Sequence, residues 1–247
     1  MIELIPEPPL AWLHLNRPEA LNALSTGLTA ALEEAVERVA AMADVTVLLL
    51  AGRGRAFCAG NDLAEMQGLD AGQAEALARR QADLLARFGR LPQVTLAVID
   101  GHALGGGLML ALAQDLRLAS DRARLGLPEV TLGFNPAYGI GRLLDVVGGG
   151  HARELLLTGR TVHASEALRM GLVNRVVAAP TLEDTARRWA REIAAAPRAG
   201  LAATKRILST LRPAGRDGEP EAYGAALRTS PEARARIQAF VNRRRPR

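Results

Sequence analysis

Cysteine is nearly missing from this chain: Cys58 is the single thiol among 247 residues. An intrachain disulfide is thereby excluded, which fits a reducing compartment. The lone thiol reads as a small buried apolar residue. Histidine is rare too, with four copies and no Cys/His clustering, so no metal site is expected. Aromatic side chains make up only 3% of the chain, which leaves leucine, alanine and valine to fill the core. No charge-free apolar stretch reaches the ~18 residues of a membrane-spanning helix. Met1–Leu10 carries Pro6, Pro8 and Pro9 and lacks the apolar run of a signal peptide. No Gly-Lys-Ser/Thr phosphate loop occurs. The expectation is a soluble, cytoplasmic protein without a bound metal.

What is present is a hydrophobic content of 49%, enough for one large core or for a core with a small appendage. The formal net charge is +5 and the pI about 10.4. Basic residues gather at the end, in Arg243-Arg244-Arg245-Pro246-Arg247. That run reads either as a solvated tail or as a contact to phosphate. Elsewhere basic residues sit among acids, as Arg79-Arg80 near Asp83 and Arg187-Arg188 near Glu192. A nucleic-acid footprint would be more concentrated and more aromatic, so none is expected.

The first half alternates strand and helix patterns. Leu10–Leu15, Val45–Leu50, Val94–Ile99 and Leu116–Ala119 read as strands. Leu28–Met42, Ala71–Leu91 and Gly106–Ala113 read as helices, the first with Ser25 or Thr26 as its N-cap. This is an α/β pattern of parallel strands, doubly wound or spiral. From about Tyr138 the pattern turns helical, over Thr181–Ala195, Pro197–Leu211 and Pro231–Arg244. One short strand, Gly171–Val177, interrupts it, and Gly215–Pro220 reads as a linker.

Two glycine loops carry the chemistry. One is Asp100-Gly101-His102-Ala103-Leu104-Gly105-Gly106-Gly107-Leu108-Met109, between a buried strand and a helix. Glycines there let a ligand approach the backbone and leave helix N–H groups free to hold negative charge. By itself the triplet also reads as a packing solution. The other loop is Gly52-Arg53-Gly54-Arg55-Ala56-Phe57-Cys58-Ala59-Gly60-Asn61-Asp62-Leu63. Together with Asn16-Arg17-Pro18-Glu19-Ala20-Leu21-Asn22-Ala23-Leu24, these blocks resemble the crotonase superfamily, the enoyl-CoA hydratase/isomerase family. Leu127-Pro128-Glu129-Val130-Thr131-Leu132-Gly133-Phe134-Asn135-Pro136 is similar to that family's second catalytic segment. Leu157-Thr158-Gly159-Arg160, Ala164–Ala167 and Gly171–Asn174 are similar to the stretch that follows it. The resemblance spans roughly the whole chain, in family order.

The resemblance implies a spiral of ββα units over residues 1–190, binding acyl-CoA, and a helical C-terminal module over 191–247 that assembles a homotrimer or hexamer. It implies an acyl-CoA thioester substrate in fatty acid β-oxidation. Coenzyme A then arrives as part of the substrate, and no further cofactor is expected. Matched residue by residue, the backbone N–H groups of Asn61 and Gly106 hold the thioester oxygen as enolate charge develops. Glu129 is the matched acid/base, its apolar neighbours raising its pKa. Read without the resemblance, Glu129 is a surface acid or a helix-start charge, and Asn61 a turn residue. CoA-binding falls to the surroundings of Ala20, Ala23, Ala59, Asp62 and Leu63, and Arg243 to the phosphates of a neighbouring subunit's CoA.

The chain also departs from the pattern. Met109 stands where a hydratase carries its first catalytic glutamate, and methionine cannot transfer a proton. It lines the acyl pocket or packs on a buried helix face. A single glutamate resembles the family's 3,2-enoyl-CoA isomerases, so double-bond isomerisation is the leading activity and hydration the alternative. Tyr138 lies in a stretch that is commonly glycine-rich, and it either donates near the thioester or fills the pocket. That phenol leaves decarboxylation or thioester hydrolysis open, as the basic tail leaves open a non-catalytic RNA-binding relative. His102 reads as a turn residue.

Overall fold

Leu10–Leu15, Val47–Gly52 and Val94–Ile99 are apolar at almost every position, as strands covered on both faces must be. They form β2 (Leu10–Leu15), β3 (Val47–Gly52) and β5 (Val94–Ile99) in the computed structural model, which describes residues 1–211 and 227–243. These strands lie side by side in a six-stranded sheet, with β1 (Ile2–Glu7) at one edge. β7 (Leu116–Ser120) and β10 (Arg175–Val177) complete the other edge. Only β1 pairs antiparallel; the remaining neighbours run parallel.

A second sheet has the order β4-β6-β8-β9, from β4 (Ala56–Cys58), β6 (His102–Leu104), β8 (Arg124–Gly126) and β9 (Thr161–His163). The chain leaves the large sheet after β3, β5 and β7 and enters the small one at β4, β6 and β8. Helices α2 (Leu63–Met66) and α3 (Ala71–Arg90) return it after β4, and α4 (Gly106–Leu112) after β6. This alternation is the ββα spiral, one of the two arrangements the sequence pattern allows. β3 lies two residues later than the expected 45–50. The strands of the small sheet have three residues each, too short for periodicity to register inside glycine loops. β9 adds a strand to a half expected to be helical apart from 171–177. β1 contains Pro6, which an edge strand tolerates.

Local chemistry sets the helix starts. Ser25, not Thr26, caps α1 (Thr26–Ala40), its Oγ accepting from the Leu28 N–H at 3.1 Å. Asp70 and Gln73 form a capping box at α3. The apolar faces of α1, α3 and α4 fill the space between the sheets with Leu28, Leu32, Leu84, Phe88 and Leu108. On the opposite face of the large sheet, α7 (Leu182–Ala194) lays Leu182 and Trp189 in a cluster with Trp12.

In the C-terminal half, α5 (Ile140–Thr158) kinks at Gly148, and α6 (Ala164–Arg169) follows β9. A buried cation ties α8 (Arg198–Leu211) to the large sheet. Lys205 Nζ donates to Asp115 Oδ2 at 2.7 Å and to the Gln93 carbonyl at 2.8 Å. The last helix, α9 (Pro231–Arg243), packs on α2 and on the 3-10 turn Pro128–Leu132 of its own chain. Phe134, Ala233 and Ile237 are buried there. The expected linker Gly215–Pro220 and residues 244–247 lie outside the described residues. Among the described residues no helix is long and apolar enough to cross a membrane.

Candidate active site

The two glycine loops meet backbone to backbone. A Cβ on Gly60 would stand 2.8 Å from the Leu104 carbonyl and 3.5 Å from the Gly106 nitrogen, and one on Gly107 only 2.2 Å from the Cys58 carbonyl. Nothing larger than glycine fits such a junction. Asn61 forms a parallel bridge with Leu24. Leu24 donates to Gly60 O at 2.8 Å, and Asp62 donates to Leu24 O at 3.0 Å. The Asn61 N–H therefore points away from Leu24. Gly106 opens α4, so its N–H has no partner within the helix. Among the described residues neither amide has an acceptor.

Glu129 rides on the 3-10 turn Pro128–Leu132 that follows β8, with Pro128 in the first turn and Gly133 closing it at φ 85°. Its side chain stands over the glycine triplet: a Cβ on Gly105 would be 2.9 Å from Glu129 Oε1. The residue is 8% exposed, and its Oε2 has no hydrogen-bond partner. Burial pushes the carboxyl up from 4.5 to about 7, against the opposing pull of its own backbone N–H and of Arg228. The burial anticipated from Leu127, Val130 and Leu132 is supplied in part by other residues, since Val130 is itself exposed.

Tyr138 is buried beside the same junction, and its hydroxyl lies 3.0 Å from Gln81 Oε1 and 3.1 Å from Asn61 Oδ1. Burial raises its pKa. Met109 is buried on α4 and packs over Gly139, where a Cβ would meet its Sδ at 2.7 Å. Cys58 is buried on β4, its thiol pushed up to about 12 by burial.

A cleft of about 640 Å³ runs past these groups. Ala20, Ala23, Ala59, Asp62 and Leu63 line it, as do Asn61, Gly106, Met109, Glu129 and Tyr138. The structure thus brings every named site residue but Arg243 to one cavity. The Asp62 carboxylate is committed elsewhere: it takes Arg17 Nη1 at 2.7 Å and caps α2 through Ala64 and Glu65. Asn22 holds this wall, with φ 56° and its amide donating to Arg53 O at 2.9 Å and to Ala56 O at 2.8 Å. His102 is exposed at the rim of the cleft. Phe240 and Val241 bring α9 to the cleft of their own chain. Arg243 ends that helix, but its side chain lies outside the described residues.

Two residues at or behind the cleft wall carried no motif. Gln81 is 1% exposed on the apolar face of α3, among Ala74, Ala78, Leu84 and Leu85. A lone amide on an otherwise apolar helical stripe was the available signal. Arg228 is buried before α9 and lines the cleft; burial holds its pKa below the usual value. It lies in the approach to α9, a stretch without recognisable pattern.

The comparisons with known proteins agree with this architecture. The enoyl-CoA hydratase from Bacillus anthracis superposes with a TM-score of 0.80 at 32% identity, covering 100% of this chain and 98% of that one. The fold is thus of the crotonase class. The family model for enoyl-CoA hydratase/isomerase matches residues 8–247. The short-chain-enoyl-CoA hydratase of Clostridium acetobutylicum is 32% identical over 242 residues, 96% of this chain and 92% of that protein. YngF of Bacillus subtilis, named for hydratase/isomerase activity, is 40% identical over 242 residues, 96% of this chain and 93% of its own. The chain belongs to the enoyl-CoA hydratase/isomerase family and is an enzyme of the crotonase type.

Proposed function

We propose that the cleft binds an acyl-CoA thioester and that Glu129 alone moves a proton along the acyl chain, shifting a double bond from the 3 to the 2 position. The observation that carries this reading is a buried carboxyl with a pKa near 7 standing over the triplet whose Gly106 amide has no acceptor among the described residues. The other acids of the cleft are poor rivals, since Glu19 is exposed and Asp62 is held by Arg17.

In this mechanism the thioester carbonyl oxygen accepts hydrogen bonds from the Asn61 and Gly106 N–H groups. Ionised Glu129 removes a proton from C2, and the C–H electron pair moves into the carbonyl to give an enolate conjugated with the 3,4 double bond. Donors fixed in advance at the developing oxyanion, in a site that excludes water, lower that barrier. Protonated Glu129 then returns the proton to C4, and the electrons settle as the 2,3 double bond. One base performs both transfers, so no second carboxylate is needed and Met109 is no defect. A carboxyl near pKa 7 suits the task, because it is both an adequate base and an adequate acid at neutral pH. Coenzyme A is substrate here, held along the wall from Ala20 to Leu63.

A second reading is hydration of a 2-enoyl-CoA, with Glu129 orienting the water. It is favoured by the hydratase names of relatives aligned over nearly the full chain. Incubation with 2-enoyl- and 3-enoyl-CoA thioesters, products identified by mass and absorbance, separates the two. Isomerisation faster than hydration supports the first reading. Efficient hydration without isomerisation replaces it with the second, and inertness toward every enoyl-CoA refutes both.

A further inference from the structure

A buried chain of hydrogen bonds leads from α1 to the cleft, and counting its protons fixes its direction. Thr29, fully buried on α1, donates its hydroxyl proton to the Ser25 carbonyl at 2.8 Å. Its Oγ1 can therefore only accept, and Gln81 Nε2 faces it at 3.4 Å. With its amino group turned to Thr29, Gln81 presents its carbonyl to Tyr138, whose hydroxyl lies 3.0 Å away. A phenol has one proton, and this contact consumes it. The remaining neighbour of the Tyr138 oxygen is the Asn61 side chain at 3.1 Å. Two oxygens at that distance with no proton between them would repel in a buried place. The nitrogen and oxygen of an amide are told apart by their hydrogen-bond partners, and here the partner can only accept.

We propose that Gln81 is a positioning residue: through Tyr138 it turns the side-chain amide of Asn61 so that the NH₂ group faces the Gly106 end of the cleft. That group then adds a side-chain donor beside the two backbone amides. The atom of Asn61 nearest Tyr138 lies 2.8 Å from where a Cβ on Gly106 would stand, and the Tyr138 hydroxyl 2.6 Å from the same point. Tyr138 itself is then no proton donor to the substrate, since its proton is committed to Gln81. Its role is to accept from Asn61 and hold that side chain in place. The catalytic consequence rests on the thioester reading above; the proton positions do not.

Neutron diffraction from a deuterated crystal reads the proton positions without reference to activity. The expected result is a deuteron on the Tyr138 oxygen directed at Gln81, and a deuterated amino group of Asn61 directed at Tyr138. A Tyr138 deuteron directed at Asn61 overturns the proposal, whatever the enzyme turns over. The catalytic part is read from a double-mutant cycle on the enoyl-CoA substrate that the panel identifies. Gln81→Met keeps the volume and deletes the relay, and is expected to lower kcat about tenfold with little change in KM, a loss on the scale of one hydrogen bond. In an Asn61→Ala background the same substitution is expected to change kcat by less than about twofold, because coupled residues are not additive. Independent, multiplying losses would overturn the role of Gln81 through Asn61. If Gln81→Met fails to fold, the neutron map alone decides.

Discussion

Replacing Glu129 by glutamine separates what the buried carboxyl does for chemistry from what it costs the fold. The neutral amide keeps the shape and cannot take a proton from carbon. Turnover is expected to fall by about a thousandfold, within the usual range for a deleted general base. Stability is expected to move the other way. In the unfolded chain the carboxyl titrates near 4.5, and in the folded chain burial moves it to about 7. The folded protein therefore binds this proton more tightly, and the contribution of Glu129 to stability falls as pH rises from about 4.5 to about 7. The shift corresponds to about 3 kcal/mol at roughly 1.4 kcal/mol per pH unit. Little of that loss is present near pH 4, and nearly all of it at pH 8. The Glu129→Gln variant carries no such dependence, and every other titrating group is shared between the two proteins. Urea unfolding of both, from pH 4 to pH 8, should show a stability gap in favour of the variant that widens by about 3 kcal/mol as pH rises. Parallel curves with a constant gap would show that Glu129 is not desolvated in the folded protein, and the argument for its basicity would fall with them. The activity of the parent should rise with pH through about 7, as the base form of Glu129 appears.

Met109→Glu places a second carboxylate in the cleft that Glu129 lines, and should shift the ratio of hydration to isomerisation toward hydration; an unchanged ratio in a folded variant would show that Met109 does not decide the reaction. Gly107→Ala should abolish soluble expression, because its Cβ would lie 2.2 Å from the Cys58 carbonyl. Gly150→Ala, a helical site with nothing within 4 Å, should raise the melting temperature through up to about 1 kcal/mol of helix propensity; equal behaviour of the two alanines would refute the close-approach account. Lys205→Met leaves Asp115 and the Gln93 carbonyl without their cation and should cost about 3 kcal/mol in urea unfolding, with α8 exchanging its amides faster than the sheet.

The backbone parts of the candidate site were the parts most legible in the sequence. A site made of main-chain amides needs glycines where loops touch, and the tracts Ala59-Gly60-Asn61 and Gly105-Gly106-Gly107 declare that need in order. The long strands and the helices α1 and α3 were equally plain, because burial on both faces makes a strand a continuous apolar run and burial of one face gives a helix its period. The small sheet was not, since three-residue strands such as Ala56–Cys58 sit inside the very loops that read as turns.

The harder residues to see share a different property: their meaning depends on partners far away in the chain. Gln81 lies 57 positions from Tyr138 and 52 from Thr29, and no local pattern links them. Glu129 stands on a five-residue 3-10 turn whose neighbours point partly to solvent, so its own sequence surroundings do not explain its burial. The explanation is tertiary. Glycine at position 105 makes room for the carboxylate, Tyr138 closes one side, and Arg228 arrives from the approach to α9. Each of these groups is unfavourable alone: an unpartnered carboxylate oxygen, a desolvated phenol, a desolvated guanidinium. They are tolerated together because the two sheets and α1, α3 and α4 bury a large aliphatic cluster around them, and local strain of this kind persists only where surrounding packing over-determines it. A carboxyl, a phenol and a guanidinium, all desolvated in one cleft, mark that cleft as the candidate site of this chain's chemistry.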